Sequence, residues 1–144
     1  MPLPFKSSRI EARIMLDVPD SGVVKTAKSL NWIENGILFS LPINKAYLDI
    51  DEAKAITKAF QKLSPVPLPL FVDLHTITGQ SSETREYFSS DPVHITTYAA
   101  VALFVSNPVA RVIANIFMGL VKPAHPTKLF TDYDQALEWL SQYK

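Results

Sequence analysis

Asp73 and His75 stand two residues apart at the end of an apolar run, and Ser81, Ser82 and Glu83 follow within the same stretch, LPLFVDLHTITGQSSETREYF, residues 68–88. A carboxylate and an imidazole at i and i+2 of a strand share one face. With a serine close by they could supply an orienting acid, a base and a nucleophile, which is the chemistry of a hydrolase. No G-x-S-x-G elbow accompanies Asp73, His75 and Ser81, so that reading has no further support. Asp73 also has an ordinary use, accepting hydrogen bonds from nearby loop amides. Ser81 and Ser82 have an ordinary use too. Either hydroxyl caps the helix that begins here, and Glu83 suits the positive end of its dipole. The functional alternative is a phosphorylation switch, because the free amides at a helix start accept a dianion.

The remaining reactive groups are scattered. His75, His94 and His125 show no H-x-x-x-H or paired-acid spacing, so no metal site is expected. There is no cysteine, which removes thiolate sites and disulfides. Four glycines make no phosphate-cradling loop. These absences lead us to expect no catalytic residues, no cofactor and no enzyme.

The elements that must position the loop follow from periodicity. Leu68, Leu70, Phe71, Val72 and Leu74 leave no polar face, as in a strand covered on both sides. Ala99 to Val105 is a second such strand. A helical crossover joins the two, so they should be parallel. Asn35-Gly36 between apolar alternations predicts a type I′ hairpin over residues 30–41. Residues 42–48 read as a connection and 75–80 as a loop. Asp49 should cap a helix running to Pro65, with Glu52 as its capping-box partner. Asp132 and Gln135 open a last helix whose inner face is Ala136, Leu137 and Leu140. Arg9 to Leu16 alternates like a half-buried strand, Val23 to Ser29 is ambiguous, and residues 1–8 read as a loose arm.

The helix expected at 108–121 is unusual. Asn107, Arg111, Asn115, Met118 and Lys122 form one narrow stripe, while Ala114, Phe117, Val121 and their neighbours are small or apolar. One sheet face covers about half of a helix. The rest calls for the protein's own elements, a second copy of the chain, or an apolar, lipid-like ligand. Arg111, Ala114, Asn115, Phe117, Met118 and Val121 are the residues that such an interface or ligand would meet. Arg111 and Asn115, one turn apart, could also hold an anion, although a solvated stripe is the ordinary reading.

Composition narrows the partners. The chain has 144 residues, which suits a single domain. Charged residues are 19%, below the roughly 25% of soluble domains, so a homodimer is expected. Lys plus Arg (14) balances Asp plus Glu (14), which offers no basic field to nucleic acid. No apolar run is long enough for a transmembrane segment or a signal core, and a cytoplasmic location is the expectation.

The hairpin, the capped helix, VDL with its polar loop and Ser-Ser helix start, and the closing FTDYDQALEWL resemble the STAS-like domains. These are the SpoIIAA-like anti-sigma-factor antagonists, with a distant kinship to CRAL-TRIO lipid-binding domains. The tail NPVARVIANIFMGLVKPAHPTKLF looks closest to a small stand-alone bacterial branch. The likeness covers about residues 30–143. It implies an α/β fold with a mixed sheet of about five strands and four helices, and a non-catalytic regulatory or protein-interaction role with a regulatory protein partner. It also places Ser82 where the antagonists carry a phosphorylated serine, although Ser81, Glu83 and Thr84 replace the family's aspartate, serine and glycine around it. The alternative is a carrier holding a small apolar or lipid-like ligand against helix 108–121.

Overall fold

The computed structural model describes residues 17–43, 45–105 and 125–144. The strand expected at 9–16 and the helix expected at 108–121 lie outside the described residues. So do Arg111, Ala114, Asn115, Phe117, Met118 and Val121.

A six-stranded mixed sheet carries the fold. Its strands are β1 (Val24–Lys25), β2 (Ser29–Glu34), β3 (Ile37–Pro42), β5 (Leu68–Asp73), β7 (Tyr98–Phe104) and β8 (Thr127–Phe130), side by side in the order β1-β2-β3-β5-β7-β8. The first three strands run antiparallel, and β3, β5, β7 and β8 run parallel. The sheet thus has one strand more than about five, and the ambiguous 23–29 segment supplies the edge. The hairpin forms as expected: Asn35 and Gly36 take φ of 52° and 76°, the paired positive values of a type I′ turn.

Two short strands pair where a plain connection and a plain loop were expected. β4 (Tyr47–Leu48) and β6 (Gly79–Gln80) form a separate parallel ribbon. A Cβ on residue 79 would come within 3.3 Å of the Tyr47 ring, so glycine lets the strands close. Two residues each are too few to show a period in sequence.

Helix α1 (Ile50–Leu63) connects β3 to β5, and α2 (Ser82–Ser90) with the single turn α3 (Pro92–Ile95) connects β5 to β7. Both crossovers step the same way along the sheet. Right-handed connections therefore place α1, α2 and α3 on one face. Helix α4 (Tyr133–Leu140) covers the other, with Ala136 and Leu140 fully buried in that face's core.

Caps behave as their sequences suggest, with one correction. Asp49, Ser81 and Asp132 each accept the backbone N–H three residues on. Glu52, however, does not reach back to complete a capping box. Its side chain is buried and its Oε2 accepts from the hydroxyls of Thr26 and Ser29. A carboxylate removed from water needs donors, and the turn beside β1 offers two where the cap offers one.

Candidate functional site

At the C-terminal end of β5, Asp73 is fully buried and its Oδ1 accepts two bonds, from the His75 backbone N–H at 2.8 Å and from His75 Nδ1 at 2.7 Å. Asp73 Oδ2 is buried with no hydrogen bond among the described residues. The His75 ring meets Phe104 edge-on at 5.4 Å. Carboxylate and imidazole are thus joined, and the bond to the loop amide is the ordinary role foreseen for Asp73.

Ser81 does not join them. Its hydroxyl donates to Thr84 Oγ1 at 2.8 Å and accepts from the Thr84 N–H at 3.0 Å. A hydrolase needs the nucleophile in hydrogen-bond reach of its base. Both of Ser81's hydroxyl bonds go to its own helix, so the Asp73–His75–Ser81 arrangement is not assembled. Ser82 and Glu83 lie exposed in the first turn of α2.

The more developed feature lies on the other side of the sheet. A cavity of about 200 Å³ opens between the sheet, α1 and α2. Leu70, Val72, Val101 and Leu103 form its floor, Ile56 and Phe60 one wall, and Phe88 another. The ribbon contributes Leu48 and Gln80. Alternation along β5 and β7 explains the floor, since residues i and i+2 share a face.

One end of the cavity is polar and ordered. His94 is buried in α3, held there because Asp91 caps the turn through the N–H groups of Val93 and His94 at 2.9 and 3.1 Å. Thr57, buried in α1, donates to the Ala53 carbonyl one turn back at 3.1 Å. Its only proton is thereby used, so its oxygen accepts from both neighbours: the Tyr87 hydroxyl at 3.0 Å and His94 Nδ1 at 2.9 Å. His94 Nδ1 then carries the proton, and Nε2 accepts from the Tyr98 hydroxyl. Every member of this chain is satisfied with the imidazole neutral. Burial, with His125 nearby, lowers the His94 pKa to about 4, against the opposing pull of Asp91. Burial raises that of Tyr98.

His125 stacks on Tyr98, ring centroids 4.4 Å apart, and also lines the cavity. Both its ring nitrogens are buried without a hydrogen bond of ordinary geometry among the described residues. Desolvation lowers its pKa, although the Ile95 backbone pulls the other way. Arg85 lines the cavity from α2, with Phe88 and Ser89 beside it at helical spacing.

Sequence reasoning passed over this cluster. His94 and His125 read as scattered because their partners Thr57, Tyr87 and Tyr98 come from three other elements. The available signals were His94 four residues before Tyr98, and a charged residue on the inward stripe of α2. Among the described residues no group of three or more His, Asp or Glu could hold a metal ion, and no helix is long and apolar enough to cross a membrane.

Comparison with known proteins accords with this architecture. Among solved structures, an uncharacterized protein of the DUF3478 family with a SpoIIAA-like fold, from Shewanella loihica PV-4, superposes with a TM-score of 0.53 at 14% identity, covering 87% of this chain and 98% of that one. The fold is SpoIIAA-like, as the STAS-like resemblance implied. A protein with unknown function from Arthrobacter sp. FB24 shares 27% identity over 89% of this chain and 98% of that chain, with a TM-score of 0.30. No curated protein matches. The family model described as Domain of unknown function (DUF7793) matches residues 31–144, and the chain belongs to that family.

Proposed function

We propose that this SpoIIAA-like domain is a non-catalytic binding module that holds a small apolar ligand between its sheet, α1 and α2. The observation that carries the reading is the cavity of about 200 Å³. It is somewhat larger than the roughly 150 Å³ that takes up benzene in an engineered protein core. The fully satisfied Thr57–His94–Tyr98 chain gives it one rigid, neutral wall. The occupant moves from the helix at 108–121, where sequence alone set it, to the described cavity. Calorimetric titration with n-octanol tests the proposal. Saturable binding that is lost in Leu103→Trp, which fills the floor, is the expected result. No saturable binding to the wild-type chain overturns it.

A second reading keeps the switch. Ser82 is exposed in the first turn of α2, one residue past the cap, with no hydrogen bond to its hydroxyl among the described residues. That leaves it open to a kinase belonging to a regulatory partner. Phosphopeptide mapping of protein from its native cells should show the modification on Ser82 and not on Ser81. Unmodified serine in every growth phase removes this reading.

A further inference from the structure

The cavity is apolar but not electrically symmetric. Among its described lining residues there is no Asp, Glu or Lys. Arg85 is the one permanently charged side chain there, and none of the described carboxylates pairs with it. A guanidinium keeps its charge at any working pH and offers five donors in a fixed fork. Placed beside an apolar space it has a stem that can lie along that space and a head that wants an anion. Gln80 and Ser89, also in the lining, add neutral polar atoms but no negative charge. The second observation is His125, which borders the same space and whose two buried ring nitrogens find no partner of ordinary geometry among the described residues. With no partner among the described residues for the cation, nor one of ordinary geometry for the imidazole, the cavity is incomplete as a purely apolar container.

We infer, resting on the binding role proposed above, that the ligand is a compact anionic amphiphile: its acid group pairs with Arg85 and its short apolar body fills the space over Leu70, Val72, Val101 and Leu103. A cationic amphiphile is disfavoured because none of the described lining residues is acidic. A long acyl chain is disfavoured by volume. The space is near that needed for a single ring or a medium-length chain.

The test compares three probes of equal chain length, octanoate, n-octanol and octylammonium, by calorimetry at neutral pH. They are titrated into the wild-type chain and into Arg85→Gln, a variant whose thermal transition is checked against the wild type. The wild type should bind octanoate about ten-fold more tightly than octanol. Arg85→Gln should bind octanoate no more tightly than octanol, and Arg85→Lys should restore part of the preference. Equal or better binding of octanol or octylammonium by the wild type overturns this inference and leaves the binding role standing. Retention of the preference in Arg85→Gln does the same. Failure of all three probes to bind the wild type overturns the inference and the binding role together. If Arg85→Gln unfolds, the wild-type ranking of the three probes still decides.

Discussion

Phe71 and Val72 are adjacent in β5 but face opposite sides of the sheet, and the two sides are built differently. On Phe71's side an aromatic row crosses four strands. Trp32 stacks on Phe39 at 5.4 Å, Phe39 lies 5.4 Å from Phe71, and Phe71 lies 5.5 Å from Phe104. Tyr133 of α4 meets both Phe71 and Phe104 edge-on. The small residues Ala100, Ala102 and Ala136 let these rings and the helix approach. On Val72's side the sheet floor is aliphatic, the helices stand off at one place, and the rings at the cavity's end, Tyr87, His94 and Tyr98, are tied together by hydrogen bonds. The closed side uses dispersion and buried area for stability. The open side leaves space, and its order comes from a polar chain that must stay neutral.

Substitutions should separate the two sides. The largest effect is expected from Phe71→Ala, since the ring is fully buried in the closed row. It should cost about 3–5 kcal/mol in chemical denaturation. A loss below about 1 kcal/mol would mean that the row is not the main source of stability.

Acid should act on the open side next. In the unfolded chain His94 titrates near 6.5, and in the folded chain near about 4. Its contribution is therefore fully present above 6.5 and is lost as the pH falls from there toward 4, because the unfolded chain takes up the proton first. Between about pH 7.5 and about pH 5 the stability should drop by about 2 kcal/mol, measured by denaturant titration at both pH values. His125, also shifted downward, adds in the same direction. In His94→Gln the fall with pH should be shallower. An unchanged slope would contradict the neutral, buried imidazole.

Overpacking sharpens the contrast with a smaller effect. Ala102→Leu adds bulk to the closed side, where residue 102 is fully buried, and should cost about 1–3 kcal/mol. Leu103→Phe, one residue along and over the cavity floor, should cost less than about 1 kcal/mol. Equal costs would mean that the two sides are packed alike. The smallest effect concerns the α2 start. Ser81→Ala removes the cap and should cost about 1 kcal/mol, and Ser82→Ala about nothing, both read as shifts in the melting temperature.

The same two sides differ in how far they could be read from the sequence. The apolar strands, the Asn35-Gly36 hairpin and the caps at Asp49, Ser81 and Asp132 rest on neighbours in the chain, so local pattern reveals them. Parallel pairing of β5 with β7 followed from the handedness of crossovers. The cavity did not show, because a void has no residues of its own. Its walls combine Ile56, Leu70, Phe88 and Leu103, each of which reads as core. Glu52 misled for a related reason. Its spacing from Asp49 is that of a capping box, but its partners Thr26 and Ser29 are brought to it by tertiary packing.

Helix α4 follows every strand of the sheet in chain order, which has a consequence for synthesis. While the ribosome is still adding residues 131–140, the strands that carry Trp32, Phe39, Phe71 and Phe104 already exist, and their cover does not. A chain halted at Phe130 would present a continuous aromatic strip to solvent or to a chaperone, as edge-exposed folding intermediates do. The α1 side has no such gap, since its helix is made before β5. The side of the sheet that carries the aromatic row is thus the last to be shielded while the protein is being made.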